Sequence, residues 1–186
     1  MSCPWAQGDD YLAYHDHEWG VPCYDRRALF EKLCLEGQQA GLSWITVLRK
    51  REQYRTRFHQ FVPEVVARMS DDELAQCLLD AGLIRHRGKL FGIRQNAQAL
   101  LALEHTGIDF VSFLWAFVGG QPIINHWSTL ADVPTATSAS HAMSKALKKA
   151  GFTFVGPTIC YAFMQSMGLV NDHLLNCPLH ANNRNS

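Results

Sequence analysis

The sequence predicts an all-α fold, and three observations carry that expectation. Apolar residues recur at three- and four-residue spacings through most of the chain, helix-start signals precede several of these runs, and no stretch alternates apolar and polar residues over strand length. With 186 residues, the chain is long enough to bury one substantial core. The expectation is therefore a compact helical domain with extended, His- and Trp-rich irregular segments at both ends.

The elements follow in order. Arg26 to Gln39 places Leu29, Phe30, Leu33 and Cys34 on one helical face, and Ser43 to Phe58 continues with Ile45, Val47, Leu48, Tyr54 and Phe58. Pro63 suits the first position of a short helix because its missing N–H would be unpaired there anyway. Ser70-Asp-Asp-Glu73 reads as a capping box for a helix ended by Gly82. Helices over Arg87 to Leu103 and Asp109 to Val118 come next, then the turn Gly119-Gly120-Gln-Pro122 and a loop to residue 137 that Trp127 anchors. Ser138 or Ser140 caps a helix to Ala150, Gly151 stops it, and Phe152-Thr-Phe-Val-Gly-Pro-Thr forms a hairpin into a last helix through Met167.

Composition excludes several classes. Seventeen basic and seventeen acidic side chains cancel, so overall charge gives no footprint for a polyanionic partner. Placement is more telling. Arg49, Lys50, Arg51, Arg55 and Arg57 share their segment with Glu52 alone; Arg85, Arg87, Lys89 and Arg94 form a second cluster; Lys145, Lys148 and Lys149 are the only charges from Val133 to Val170. Three acid-poor clusters in a neutral chain suggest an anionic partner touching one side. No run approaches the roughly 18 apolar residues of a membrane span, and Met-Ser-Cys-Pro-Trp is followed by acids rather than by a leader-like run. Six scattered cysteines lack the density of a disulfide scaffold. The expectation is a cytoplasmic monomer with reduced thiols and no membrane partner.

Two of those cysteines suggest a metal. Cys3 and His15 lie near one end, and His173-x-x-x-Cys177, spaced for one face of a helical turn, lies near the other. Two thiolates and two imidazoles complete a tetrahedron around zinc and leave no position for a catalytic water, so such a site is structural. On spacing alone His17, Cys23 and His180 are alternative ligands. A clip of this kind orders the aromatic segment containing Trp5, Tyr11, Tyr14 and Trp19.

Two further stretches carry chemistry. Leu35-Glu-Gly-Gln-Gln-Ala-Gly-Leu-Ser-Trp-Ile-Thr-Val-Leu48 puts a carboxylate, Glu36, at the end of an apolar run and an aromatic plate, Trp44, on the first turn of the next helix. An acid beside an aromatic plate suits a flat polar ring, though a capped helix junction with a core Trp is the commoner meaning of such a pattern. In Ser144-Lys-Ala-Leu-Lys-Lys-Ala-Gly-Phe-Thr-Phe-Val-Gly-Pro-Thr-Ile-Cys160, Gly156 permits close backbone approach and the following helix offers unpaired N–H groups to a phosphate. Lysines flank it, which points to a helix–hairpin–helix DNA contact.

Taken with Tyr14-His-Asp-His-Glu-Trp-Gly-Val-Pro22, Phe154-Val-Gly-Pro-Thr-Ile-Cys-Tyr161 and Leu169-Val-Asn-Asp-His173, these motifs closely resemble the 3-methyladenine DNA glycosylase I (Tag) family of the helix–hairpin–helix glycosylases. The resemblance runs from about Cys3 to Cys177. It implies a single glycosylase domain over 1–186 with a two-lobed helical fold: a lobe from the termini carrying structural zinc on Cys3, His15, His173 and Cys177, and a central lobe over about 25–185 with the helix–hairpin–helix at about 140–168. It also implies excision of 3-methyladenine from double-stranded alkylated DNA. Carried over residue by residue, Glu36 matches the acid that contacts the extruded base. Tyr14 and Trp44 match the pocket walls, surrounded by Tyr11, Trp5 and Trp19. Gln38, Gln39, Gly41 and Leu42 match the loop that fills the gap left by the flipped nucleotide. Val155, Gly156 and Thr158, with Lys145 and Lys148 alongside, match the backbone grip.

Two departures from the wider superfamily sharpen this. No lysine follows Lys149, so the lysine nucleophile of lyase members is missing and a monofunctional enzyme is expected. The usual catalytic Asp of a Val-Asp-x-His setting is replaced by Asn171, with Asp172 one position later. A non-catalytic helix–hairpin–helix module is the chief rival, and it leaves Glu36, Tyr14 and Trp44 without a purpose.

Overall fold

A computed structural model describes residues 2–183 and is mostly helical. α1 (Asp9–His17) opens the chain, with Asp9 and Asp10 in its first turn where the helix dipole favours acids. The N-terminal segment is thus more regular than its composition suggested. α2 (Arg26–Gln38) is capped by the Asp25 carboxylate, which accepts from the Ala28 N–H at 2.7 Å. It runs through the middle of the core with Leu29, Phe30, Leu33, Cys34 and Leu35 all buried.

The single helix expected from Ser43 to Phe58 is broken into α3 (Trp44–Leu48) and α4 (Arg51–Arg57). Around the break Arg49 pairs with Asp10 and Arg51 with Glu18, tertiary partners that a local apolar pattern does not reveal. α5 (Pro63–Val66) has its proline in the first turn, and α6 (Asp71–Leu79) shows both halves of the Ser70–Glu73 capping box. α7 (Arg87–His105) is capped by the His86 ring, which accepts from the Lys89 N–H. α8 (Phe110–Trp115) follows from an Asp109 cap.

The 121–137 loop is less irregular than expected. It contributes β1 (Ile123–Ile124), which pairs in parallel with β2 (Val170–Asn171), placed after the last helix; a two-residue pair is too short to show an alternation. α9 (Ser138–Lys149) is capped by Thr137 rather than by Ser138 or Ser140, with Ser140 closing the box from inside the helix. Gly151, at φ +97, ends it in the left-handed region that glycine tolerates best. α10 (Pro157–Ser166) completes the helices, with Pro157 in its first turn.

The hairpin between α9 and α10 is pinned from several sides. Asn96 of α7 accepts from the Thr153 N–H at 2.8 Å and donates to the Thr153 carbonyl at 3.2 Å, and the Ser144 hydroxyl donates to the Val155 carbonyl at 2.6 Å. A Cβ at Gly37 would lie 3.0 Å from the Phe154 Cβ, so α2 approaches the hairpin closely only because that position lacks a side chain. The hairpin is thereby fixed to the same helix that carries Glu36. A small second apolar cluster (Cys3, Leu174 and Cys177, with Trp5, Trp127, Val133 and Leu179 against it) stands apart from the main core, where the two ends of the chain meet. No single helix among the described residues is long and apolar enough to cross a membrane.

Candidate functional site

A cavity of about 430 Å³ opens between the N-terminal segment, the α2–α3 corner and α10. Its walls are Trp5, Tyr11, Tyr14, Trp19 and Trp44, and Glu36, Gln39, Gln165 and Asp172 supply polar atoms. All six residues expected in a base pocket therefore line one space. Tyr14 and Trp44 face each other with ring centroids 5.6 Å apart, and Trp5 packs edge-on against Tyr11 (5.7 Å), His15 (5.3 Å) and Trp19 (5.0 Å). Tyr11 also braces the corner: its hydroxyl accepts from the Ile45 N–H at 3.0 Å and caps α3, a task the Ser43 side chain does not perform.

Two polar atoms in this cavity are unusual. Glu36 Oε2 and Trp44 Nε1 are buried without a hydrogen-bond partner among the described residues. One orphaned polar atom costs about 1–3 kcal/mol, more when charged. An unpaired acceptor and an unpaired donor on two residues lining one aromatic cavity are complementary to a flat ligand that offers a donor and an acceptor. Burial raises the Glu36 carboxyl above the ordinary 4.5, opposed by Lys32 one turn earlier on α2, whose Nζ lies 3.5 Å from Glu36 Oε1. Leu130 and Val133 also line the cavity, from the 121–137 loop; no local pattern marks them.

The expected wedge segment divides. Gly41 and Leu42 are exposed at the tip, Leu42 retaining 43% of its accessible surface, and Gln39 lines the cavity. Gln38 departs from expectation. It is buried within α2, donating to the Lys89 carbonyl at 3.0 Å and accepting from the Tyr54 hydroxyl at 3.1 Å, so it braces the loop from inside and is not available to enter DNA. Lys89 holds the same loop, its Nζ donating to the Gln38 and Ala40 carbonyls at 2.9 and 2.6 Å.

At the hairpin, the Val155 side chain is core, so only its backbone is available outward; Thr158 is exposed, and the space where a Gly156 Cβ would project is open. Lys145, Lys148 and Lys149 are exposed with no acid in ion-pair range among the described residues. The first basic cluster is different from its sequence appearance: Arg49, Arg51, Arg55 and Arg57 pair with Asp10, Glu18, Glu31 and Asp80, and Arg94 of the second pairs with Asp71. These charges are spent within the protein.

The donors of Cys3, His15, His173 and Cys177 gather in one buried group, all within 4.8 Å of one another. Sγ–N separations of 3.8 Å (Cys3–His173), 3.6 Å (Cys177–His15) and 3.5 Å (Cys177–His173) match the edge of about 3.6 Å expected for a tetrahedron with metal–ligand bonds of about 2.1–2.3 Å. His15 Nδ1 lies 2.7 Å from the Asp16 carboxylate and His173 Nε2 lies 3.2 Å from the Trp19 carbonyl, the outer partners that orient metal-binding imidazoles. His173 and Cys177 reach this geometry from a chain of turns, not from the helical turn their spacing suggested. His180 is elsewhere, its ring nitrogens engaged with the Asn125 carbonyl and the Asn182 N–H, and neither His17 nor Cys23 joins the group.

Asn171, at the place of the superfamily's acid, is part of β2; its side chain accepts from the His173 N–H. Asp172 does reach the cavity, but its carboxylate accepts four hydrogen bonds, from Asn125 (2.7 Å), Trp127 (2.8 Å), Tyr161 (2.5 Å) and Gln165 (2.9 Å).

The family model for methyladenine glycosylase matches residues 5–180. The chain belongs to the methyladenine glycosylase family. It is 57% identical over 183 residues to DNA-3-methyladenine glycosylase 1 of Escherichia coli K12, covering 98% of each chain. A crystal structure of 3-methyladenine DNA glycosylase I superposes with a TM-score of 0.95 at 56% identity, covering 97% of this chain and 100% of that one. The Staphylococcus aureus enzyme, solved to explain 3-methyladenine recognition, gives 0.92 at 40% identity over 95% of each chain. Behind the cavity, Lys32 was missed by the sequence reading; its position four before Glu36 on α2 was the available signal.

Proposed function

We propose that this glycosylase excises 3-methyladenine from alkylated double-stranded DNA by flipping the damaged nucleotide into the aromatic cavity. The observation that carries the reading is the pair of orphaned polar atoms, Glu36 Oε2 and Trp44 Nε1, inside that cavity. Glu36 accepts from the exocyclic amino group, while the Tyr14 and Trp44 rings cover the base. Stacking of this kind returns roughly 1–3 kcal/mol against an extrusion cost of a few kcal/mol.

The charge of the lesion explains the selectivity. Methylation at N3 makes the base a cation, which a π face and a buried carboxylate attract more strongly than neutral adenine. It also explains the chemistry. The glycosidic electron pair leaves with the base, which departs neutral without being protonated; water bonds to C1′ and releases a proton. The residues then have only to hold the nucleotide and tolerate positive charge developing on the sugar. Asp172, with all four acceptor directions occupied, serves to fix the 125–127 loop and α10 rather than to activate water. With no lysine among the described residues that line the cavity, no Schiff-base lyase step is expected.

The rest of the site serves DNA. Gln39, Gly41 and Leu42 form the wedge, and the α9–hairpin–α10 unit acts as a helix–hairpin–helix, taking a phosphate on the N–H groups at Gly156 and Thr158 with Lys145 and Lys148 beside it. The Cys3–His15–His173–Cys177 group holds one structural zinc, which closes the terminal lobe onto the central one and orders the aromatic wall. Burial, with Cys177 alongside, pushes the Cys3 thiol up to about 12, so its thiolate requires the cation that such a donor set binds. The enzyme acts as a cytoplasmic monomer. Chromatography of bases released from methylated DNA tests the reading: free 3-methyladenine is expected, and DNA binding without release would favour a non-catalytic module.

A further inference from the structure

We propose that Lys32 is a positioning residue for base recognition, tying the Tyr14 hydroxyl, the Trp44 ring and the Glu36 carboxylate together from behind the cavity and holding Glu36 as the charged acceptor. The proposal rests on the assignment of the cavity as the base site.

A buried lysine is rare unless it is paired, and Lys32 is 8% exposed. Its Nζ donates to the Tyr14 hydroxyl, lies 3.5 Å from Glu36 Oε1 and stands 3.5 Å from the Trp44 ring centroid. It thus touches each of the three groups that read the base, yet does not line their cavity. It borders two neighbouring cavities instead, one with Glu18 and Arg51 and the other with Pro22 and Met167. The arrangement is that of a peg driven between the pocket walls from outside.

The electrostatics give the peg a second task. The charges facing Lys32 are Glu36 on its own helix, Glu18 just beyond α1, and Arg51 on α4, with the Tyr14 phenol completing the shell. Burial pulls the ammonium down to about 8 against the pull of Glu36, so it is charged at neutral pH. Without it, Glu36 would be a lone buried charge, and such a group takes up a proton rather than remain ionised. A protonated Glu36 loses both its charge and part of its accepting capacity, the two properties that favour a cationic base. The acidic limit of activity therefore depends on Lys32.

Protein carrying 13C at the lysine ε carbon provides the direct test, the Lys32 signal being the one absent from Lys32→Met. In the wild type this signal is expected to titrate well below the ordinary lysine range, and in Glu36→Gln its midpoint moves lower still, because the partner that stabilises the ammonium is gone. Single-turnover release of 3-methyladenine provides the second test. In Lys32→Met the acidic limb moves up by at least about one pH unit, roughly a fivefold loss at the wild-type midpoint and about tenfold well below it, a shift that a merely structural filler does not produce. An unmoved Lys32 signal in Glu36→Gln, or superimposable acidic limbs, overturns the proposal. Should the wild type release no 3-methyladenine, the base-site assignment fails while the titration still decides the Lys32–Glu36 coupling; should Lys32→Met fail to fold, Lys32→Arg, which keeps the charge, supplies the missing signal.

Discussion

Cys177 Sγ lies 3.6 Å from His15 Nε2, although 162 positions separate the two residues in the chain. That contact joins the two ends of the chain beside the aromatic wall, since Trp5 packs between His15, Trp19 and Tyr11. Wall and clip are one structure, which sets the first expectation.

Purified protein is expected to contain about one zinc per chain by mass spectrometry of the metal. Cys3→Ala and His173→Ala should lose it, lower the melting temperature and weaken activity indirectly. Full zinc content in every ligand variant would refute the site.

Glu36→Gln is expected to slow excision at least tenfold (about 1.4 kcal/mol or more of transition-state stabilisation) while sparing binding to abasic DNA. The pH profile adds a sign. Burial raises the Glu36 carboxyl above 4.5, so protonation removes the charged acceptor as pH falls, beginning at a higher pH than for a surface glutamate. Wild-type activity should therefore decline on the acidic side, and Glu36→Gln should lack that decline. A wild-type acidic limb retained in the variant would place its origin elsewhere.

The arginine and lysine clusters should behave differently on DNA. Each lost phosphate contact reduces the salt slope of binding by about 0.9, so Lys145→Ala with Lys148→Ala should lower it by about two and weaken binding irrespective of sequence. Arg51→Ala and Arg57→Ala should leave the slope nearly unchanged, because Glu18 and Asp80 already hold those charges. Equal effects from both pairs would contradict the proposed footprint.

Asp172→Asn is no mild change, whatever its neutral appearance in sequence. The new amide sets a donor against two of the four donors that Asp172 now accepts, and losing hydrogen bonds to a buried charge costs on the order of 2–3 kcal/mol. Thermal denaturation is expected to show that loss, accompanied by weaker zinc retention at neighbouring His173. A variant with wild-type stability and no excision would instead make Asp172 a catalytic group.

Much of this was legible in residue order. Helix periods, the Ser70–Glu73 box, the Pro63 and Pro157 starts and the Gly151 stop depend on neighbours within four positions, and they appear where local chemistry puts them. The motifs around Tyr14, Glu36, Trp44 and His173 marked the family, and the structure gathers those residues at the cavity and the four-donor group. Only the tertiary structure decided which charges remain free for DNA, that Gln38 braces the loop rather than enters the helix, and that Lys32 stands behind Glu36. The physical reason is range. Capping and helical periodicity act over one or two turns, whereas pairing and desolvation depend on which distant groups the fold brings within a few ångströms.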